Sequence, residues 1–219
     1  YMAGGYHAFE RTRVAEIAAE SFKFSNSPEI DGLLPDQSFM DVANSNLRIL
    51  AVAGGGVAKK MNWLVTGQVS ADITDEAVNS VSMLDSDLKM IVAAERLNLK
   101  GGICAVRFGA DIAYASTCSG SQIHVINLSQ DENVGLASSI AAGSTDFYIY
   151  PLPHRELLVI SKNKRTIDLT VFDNTLAIKP EKKSAYALDD YWADLESNYR
   201  SFAADDDNKL FFIPAGKGG

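Results

Sequence analysis

The sequence repeats a unit of four short apolar segments, and this repeat constrains the fold more than any other feature. One copy begins with GGICAVRFGADIAYASTC and continues through QIHVINLSQ and VGLASSI. The same order returns in DFYIYPL, RELLVISKN, TIDLTVFDN and KSAYALD, and an earlier copy precedes residue 101. Short apolar runs separated by turn residues are typical of β-strands. Self-similarity with a period of about 40–50 residues predicts an all-β repeat architecture.

Turn-forming side chains mark the same point in each copy. The segments VSMLD, IHVIN and LTVFD end at Asp85, Asn127 and Asp173, which stand 42 and 46 residues apart. Aspartate and asparagine favour turns because their side chains accept hydrogen bonds from nearby backbone N–H groups. The near-constant four-strand unit favours a β-propeller of four-stranded antiparallel blades over a β-sandwich, which also contains many short strands.

The whole chain, residues 1–219, is interpreted as a single β-propeller domain or as part of one. Nearly complete blades are predicted at residues 38–97, 101–140 and 145–189, with partial blades at 7–37 and 196–215. Propellers close with typically about four to eight blades. We therefore expect an incomplete ring within this sequence, completed by further sequence or by other chains.

The charge balance argues against a nucleic-acid partner and the hydropathy against a membrane span. Acidic residues outnumber basic ones by 28 to 20, which gives a formal net charge of −8. The largest basic clusters are the pairs Lys59-Lys60 and Lys182-Lys183. A nucleic-acid binder needs a basic surface that displaces counterions from phosphates. The longest weakly polar run, residues 49–58, is half the length of a membrane-spanning helix and contains three glycines.

The two cysteines, Cys104 and Cys118, lie on the two arms of the hairpin predicted by ICAVRFGADIAYAST. Pairing across the turn brings them within one residue of the same register. A disulfide forms there if the Cβ atoms approach to about 4 Å, and an oxidising compartment would favour it. The alternative is a pair of small buried apolar side chains.

The three histidines, His7, His124 and His154, do not mark a catalytic or metal site. No pair has the spacing of zinc ligands, and two cysteines alone make no zinc site. A serine, a histidine and an aspartate can converge in space, but no motif in the sequence marks such a triad. We therefore predict no metal, no cofactor and no enzymatic activity.

Four residues are predicted to bind a ligand: Arg107, Tyr191, Trp192 and Tyr199. Arg107 lies on a strand that would line the central channel of a propeller, where it binds a ligand or pairs with a neighbouring carboxylate. The aromatic residues lie in AYALDDYWADLESNY, which interrupts the strand pattern. They form a surface that binds glycans or proteins, or Trp192 packs between two blades.

Several of these segments resemble a family of secreted β-propellers that is distantly related to WD-40 repeats and is found largely in archaea and bacteria. The resemblance rests on GGICAVRFGADIAYAST, IHVINLSQDENVGLASSI, STDFYIYPL and LTVFDN, and it extends from residue 11 to residue 215. It implies an extracytoplasmic or surface-anchored protein without a settled catalytic activity. The family commonly has histidine where this chain has Tyr150 and Tyr199, so a ligand-binding role of those positions does not transfer.

The sequence therefore predicts an extracellular or cell-surface propeller, with its signal peptide removed, that acts as a non-catalytic structural or scaffolding component. Its expected partners are other protein chains or the remainder of its own propeller, because unpaired edge strands favour further pairing. The alternative is a ligand-binding module for glycans or peptides that uses the aromatic segment and the channel mouth. Asn127, followed by Leu128 and Ser129, forms an N-glycosylation sequon that matters only in a glycosylating secretory pathway.

Overall fold

A computed structural model describes residues 11–18, 23–26, 28–35, 37–54, 77–118, 120–129, 133–144, 147–163, 165–192, 202–205 and 210–217. The described chain is built almost entirely from short β-strands joined by tight turns. It divides into two compact units, residues 1–103 and 104–219.

The first unit contains one four-stranded antiparallel sheet and two short strand pairs. Its described strands are β1 (Arg11–Thr12), β2 (Ala15–Ala18), β3 (Lys23–Asn26), β4 (Ile30–Asp31), β5 (Met40–Ala43), β6 (Asn46–Ala53), β7 (Val78–Leu84) and β8 (Met90–Leu97). Strands β5 to β8 form sheet I in sequence order, while β1 pairs with β4 and β2 with β3. A 3-10 turn, Gln37–Phe39, leads into β5.

Sheet I buries most of its two central strands, β6 and β7, in which apolar residues alternate with buried polar ones: Arg48, Asn79, Ser80 and Ser82. Ile49 and Ala51 of β6 pack with Leu84 of β7 and with Ile30 and Leu88. Alternate residues of a strand face the same side of a sheet, so Ile49 and Ala51 contribute to one core. The apolar residues of the two central strands therefore form the core on this face of sheet I.

The side chain of Asn79, buried in β7, forms two hydrogen bonds with the backbone of the segment that follows sheet I. Its Nδ2 donates a hydrogen bond to the carbonyl oxygen of Gly101 at 2.8 Å, and its Oδ1 accepts one from the N–H of Ile103 at 2.8 Å. One amide thereby satisfies two backbone groups, as a neighbouring strand would.

The second unit contains two complete four-stranded sheets. Its strands are β9 (Ile103–Phe108), which begins at the last residue of the first unit, β10 (Ile112–Thr117), β11 (Gln122–Asn127), β12 (Gly135–Ala141), β13 (Phe147–Leu152), β14 (Glu156–Asn163), β15 (Thr166–Asp173), β16 (Glu181–Asp189), β17 (Tyr191–Trp192), β18 (Ala203–Asp205), β19 (Leu210–Phe212) and β20 (Gly216–Lys217). Strands β9 to β12 form sheet II and β13 to β16 form sheet III, each in sequence order. Two further pairs are β17 with β20 and β18 with β19. The predicted all-β class with four-stranded antiparallel sheets is confirmed.

Sheets II and III pack face to face through alternate apolar residues. Tyr114 of β10 and Val125 of β11 lie in the same cluster as Leu157 and Val159 of β14. The residues between them point to the opposite faces, as the period of two in a strand requires. The main core of this unit is therefore the seam between two successive sheets.

The other face of sheet III is covered by residues that flank the last described strands. Leu158, Ile160 and Ile167 are buried there, with Phe202 and Ile213 packed against them. Both faces of sheet III are thus apolar, which explains why β14 reads as a continuous apolar run rather than as an alternating one.

The turn-forming residues at the ends of the third strands act as predicted. Asp85 Oδ1 accepts from the N–H groups of residues 87 and 89, at 2.9 and 2.8 Å. Asn127 Oδ1 accepts from the N–H of Ser129 at 3.2 Å, and Asp173 Oδ1 from the N–H of Thr175 at 2.8 Å. The same type of side-chain-to-backbone hydrogen bond forms the turn after β7, β11 and β15. The repeat seen in the sequence is therefore also present in the hydrogen bonds of these turns.

Candidate functional site

Arg107 lies on β9, where its guanidinium group covers an aromatic ring of the next sheet. The guanidinium carbon lies 5.4 Å from the centre of the Tyr148 ring, and Nη1 donates to the carbonyl oxygen of Val106 at 2.7 Å. A cation over a tyrosine face is attracted by the negative potential of the ring. The structure therefore places Arg107 in a contact between β9 and β13, and its predicted ligand-binding role stays a prediction.

The three predicted aromatic binding residues do not appear together as one described surface. Tyr191 packs against the apolar face of sheet III, next to Leu188 and Phe202. The backbone of Trp192 pairs with Gly216, and Tyr199 lies outside the described residues. Tyr150, the other position at which the family commonly has histidine, packs against Phe202 with ring centres 4.7 Å apart and ring planes tilted by 45°.

Cys104 and Cys118 are joined by a disulfide across the β9–β10 hairpin, with Cα atoms 5.0 Å apart. Both residues are exposed, unlike the buried pair of the alternative interpretation. The hairpin turn places them there, because the N–H of Gly109 donates to the carbonyl oxygen of Ile112 at 2.7 Å and sets the register of both arms.

The side-chain nitrogen of Asn127, to which a glycan would be attached, takes part in a hydrogen bond inside a turn. Nδ2 of Asn127 donates to the carbonyl oxygen of Asn133 at 3.1 Å, and the side chain is buried. A glycan on this nitrogen would have to displace that hydrogen bond. The geometry gives no support to glycosylation of the folded domain, and the predicted modification remains untested.

His124 and Ser139 form a pair that the sequence analysis did not single out. They are directly opposite in the β11–β12 register, and Nδ1 of His124 lies 2.9 Å from Oγ of Ser139. Burial lowers the pKa of His124, so the ring is neutral at pH 7. A catalytic base usually also needs a third group that orients it, and within the described residues His124 contacts no carboxylate. The signal that could have identified this pair in the sequence is the register of β11 against β12, which places His124 opposite Ser139.

An ion pair ties the turns of sheets II and III together. Asp111, in the β9–β10 turn, accepts two hydrogen bonds from Arg155, in the β13–β14 turn, one of them 3.0 Å long from Nε. Arg155 and its neighbour His154 both have positive φ, 59° and 61°, which is uncommon for residues other than glycine. Paired positive φ values are what a tight type I′ hairpin turn requires.

The loop between β15 and β16 presents two large apolar side chains to solvent. Leu176 is 63% exposed and Ile178 is 77% exposed, while Ala177 between them is buried in the seam of sheets II and III. Sequence reasoning missed this feature, because the segment NTLAIKP has no strand or motif pattern that distinguishes exposed aliphatic residues from buried ones.

Several hydrogen bonds hold this loop in place. The N–H of Asn174 donates to the carbonyl oxygen of Arg155 at 3.0 Å, and the N–H of Lys179 donates to the carbonyl oxygen of Leu176 at 2.9 Å. Ser138 of β12 donates its hydroxyl to the carbonyl oxygen of Ala177. The loop is therefore fixed to both sheets while its two aliphatic side chains remain accessible.

Across the described strands and turns, no group of three or more His, Cys, Asp or Glu side chains is arranged to hold a metal ion. No helix among those residues is long and apolar enough to cross a bilayer.

Two solved structures that align with most of this chain share little sequence with it. A protein from Lactobacillus plantarum is 10% identical with a TM-score of 0.46, over 93% of this chain and 62% of that one. A protein from Bacteroides fragilis, described as a candidate 6-phosphogluconolactonase, is 8% identical with a TM-score of 0.42, over 93% of this chain and 76% of that one. Likenesses of this size carry no argument about what the chain does.

Two archaeal proteins match nearly the whole chain. An uncharacterised protein from Archaeoglobus fulgidus is 25% identical over 211 residues, which are 96% of this chain and 30% of that protein. An uncharacterised protein from Methanocaldococcus jannaschii is 26% identical over 217 residues, 98% of this chain and 32% of that protein. The chain thus spans about a third of the length of the curated relatives it matches.

The strand order, the repeat and the turn chemistry agree with a match to a family model. The model of the beta propeller domain matches residues 9–218. This match covers almost the entire chain and is consistent with the three four-stranded antiparallel sheets in sequence order. The chain belongs to the beta propeller domain family.

Proposed function

We propose that this domain is an extracytoplasmic, non-catalytic interaction module that binds other protein chains as a structural component of an assembly. The observation that carries the proposal is the β15–β16 loop, which holds Leu176 and Ile178 in solvent on a rigid support. Large apolar side chains that are accessible and already ordered favour association, because little conformational entropy is lost when a partner covers them.

The strand edges of the domain add to this surface. Among the described strands, β16 pairs only with β15 in sheet III, and residues 181–187 are all exposed. Strand β19, which pairs with β18, exposes Leu210, Phe211 and Phe212. Unpaired edges and exposed apolar strands favour pairing with further β-structure. They support partners that contribute β-strands, from another chain or from the remainder of the same propeller.

The disulfide between Cys104 and Cys118 supports an extracytoplasmic location. Disulfides persist in oxidising compartments and are rare in reducing cytosol. Both cysteines are exposed, so a reducing environment would have access to the bond. A secreted or surface-bound module is therefore the better interpretation of this hairpin.

The alternative of a glycan- or peptide-binding module has weaker support. Tyr191 contributes to a packed core, and Arg107 is engaged with Tyr148. Tyr186 is 66% exposed and is the type of side chain that stacks on sugars, but it stands on an edge strand among charged and small residues. The His124–Ser139 pair lacks a carboxylate partner among the described residues, which favours a non-catalytic module.

Native mass spectrometry or light scattering of the purified protein tests the proposed function. We expect species larger than the 23.7 kDa chain. The double variant Leu176→Ser/Ile178→Ser should weaken the association by about 100-fold or more, since each aliphatic side chain contributes about 1.5–3 kcal/mol when buried.

The control is Val42→Ser, which removes an aliphatic side chain that is also highly exposed, at 67%, but lies on β5. It should leave the association unchanged. A protein that stays at the mass of a single chain at all accessible concentrations would contradict an assembly of copies of this chain. Equal effects of the loop variant and the control would show that the loop is not the binding surface.

A further inference from the structure

The outer edge of sheet III differs from the corresponding edges of the other two sheets. Strands β8, β12 and β16 are the last strands of sheets I, II and III, and among the described strands each pairs on one side only. The register of β8 against β7 shifts twice and that of β12 against β11 shifts once, so their longest unbroken stretches are residues 95–97 and 138–141. Such bulges protect an edge, because they twist it away from a further strand.

Strand β16 offers a longer unbroken edge than β8 or β12. Its residues 184–189 pair one for one with residues 166–171 of β15, and its single register shift lies before them. Residues 184–188, with the sequence SAYAL, contain no charge and no proline. Residues 181–187 are all exposed. The centre of this edge therefore lacks the charges, prolines and bulges by which β-sheet proteins usually prevent further pairing.

Opposite charges flank the uncharged run. Lys182 and Lys183 precede it, and Asp189 and Asp190 follow it. When two identical strands pair antiparallel, the beginning of each lies beside the end of the other, so the basic end of one copy meets the acidic end of the second. A parallel pairing would place like charges side by side, which is unfavourable. The edge is therefore complementary to itself in the antiparallel orientation.

We propose that β16 pairs with β16 of a second copy of this chain, antiparallel and centred on Tyr186, so that sheet III continues from one copy into the other. This inference rests on the proposed function and deepens it, since it names the partner. In this register Tyr186 lies opposite Tyr186 of the second copy. Ala185 then lies opposite Ala187, and Ser184 opposite Leu188. The contact is symmetric, as in most dimers of identical chains.

Backbone hydrogen bonds and the central side chains hold this pair together, while the flanking charges select its register. Aromatic side chains directly opposite one another stabilise antiparallel strands. Exposed ion pairs contribute little to affinity, but a register shifted by two residues in one direction would place Glu181 opposite Asp189 and bring like charges together. The loop that exposes Leu176 and Ile178 leads directly into β16, so the loop and the edge contribute to one surface.

Charge substitution at the centre of the interface tests the proposal. Tyr186→Lys and Tyr186→Glu each place like charges opposite one another, so each variant alone should associate about 10-fold more weakly than the wild type in sedimentation equilibrium. An equimolar mixture of the two variants pairs opposite charges and should recover the association. Tyr186 is 66% exposed, so the fold accommodates either charge. The matched controls Val42→Lys and Val42→Glu, at a position that is 67% exposed on β5, should have no effect alone or mixed.

Cysteine cross-linking reports the register. Tyr186→Cys should form a disulfide between two copies under mild oxidation, because directly opposite Cβ atoms lie about 4.5–5.5 Å apart. Ser184→Cys is the matched control on the same strand. Its two copies lie four residues apart along the pair, about 13 Å, and should not react. Peptide mapping identifies the new link and distinguishes it from exchange with the disulfide between Cys104 and Cys118.

Three results would overturn the proposal. The first is a mixture of the two charge variants that associates no better than either alone, and the second is equal cross-linking at residues 184 and 186. The third is a wild-type protein that remains a single chain, which rules out pairing between copies while the proposed binding of other protein chains stands. Association that is lost in the Leu176→Ser/Ile178→Ser variant but is unaffected at Tyr186 would likewise support the proposed function and overturn the β16 pairing.

Discussion

His124 is a titratable residue that is buried inside a sheet, and this gives the stability of the domain a defined dependence on pH. Its ring lies in the centre of β11 against Ser139, and burial lowers its pKa below the ordinary value of 6.5. The unfolded chain then binds more protons than the folded one when the pH falls below that value. Stability is fully present above pH 6.5 and is lost as the pH falls towards the lowered pKa.

We therefore expect the free energy of unfolding to decrease below pH 6.5 by up to about 1.4 kcal/mol per pH unit, the largest slope that one proton allows. Denaturant unfolding at a series of pH values measures this slope. His124→Gln should flatten it, whereas His154→Gln, in an exposed turn, should leave it in place. A His124→Gln variant with the full slope would assign the dependence to other groups.

Single residues differ in how far the sequence reveals their role. Asp85, Asn127 and Asp173 were predictable as turn residues because their hydrogen bonds are local, to groups two to four residues ahead. The exposure of Leu176 was not predictable. It follows from the burial of its neighbour Ala177, which packs into the seam between sheets II and III. Hydrogen bonds within a turn depend on residues that are close in sequence, whereas the burial of a side chain depends on contacts with residues that are far apart in sequence.

At the scale of elements, the β9–β10 hairpin is the best-defined unit for a stability measurement. Its disulfide links residues that are 14 apart in sequence. Closing a loop of about 15 residues stabilises a protein by about 3 kcal/mol, mainly by restricting the unfolded chain. We expect Cys104→Ser/Cys118→Ser to lower the free energy of unfolding by about this amount, measured by denaturant unfolding.

The wild-type protein with its disulfide reduced is the matched comparison for that variant. Because both cysteines are exposed, their replacement by serine creates no cavity, and the two forms should have the same stability. Equal stability of the oxidised and reduced wild type would mean that the link contributes nothing. A variant much less stable than the reduced wild type would point to lost packing instead.

Elements as a class were more predictable than the candidate site. The strand pattern and the turns follow from the alternation and spacing of residues, which the sequence displays directly. The contacts of Arg107 with Tyr148 and of Tyr191 with sheet III depend on how one sheet lies against the next. Such packing involves residues far apart in sequence, and no local pattern specifies it.

The whole molecule carries a net charge of −8, and this charge opposes contact between copies of the chain. Raising the salt concentration from 0.1 M to 1 M shortens the screening length from about 10 Å to about 3 Å. Apolar contacts such as those expected at Leu176 and Ile178 are not weakened by this change. If apolar contacts drive association, it should therefore become stronger with salt.

Sedimentation velocity at a fixed protein concentration measures this effect. We expect the assembled fraction to rise between 0.1 M and 1 M salt, and the Leu176→Ser/Ile178→Ser variant to show little rise, because screening alone supplies no attraction. Association that weakens with salt would mean that ion pairs between chains hold the assembly together. The exposed edge of β16, with Lys182 and Lys183 beside Glu181, would then be the surface to mutate in place of the loop.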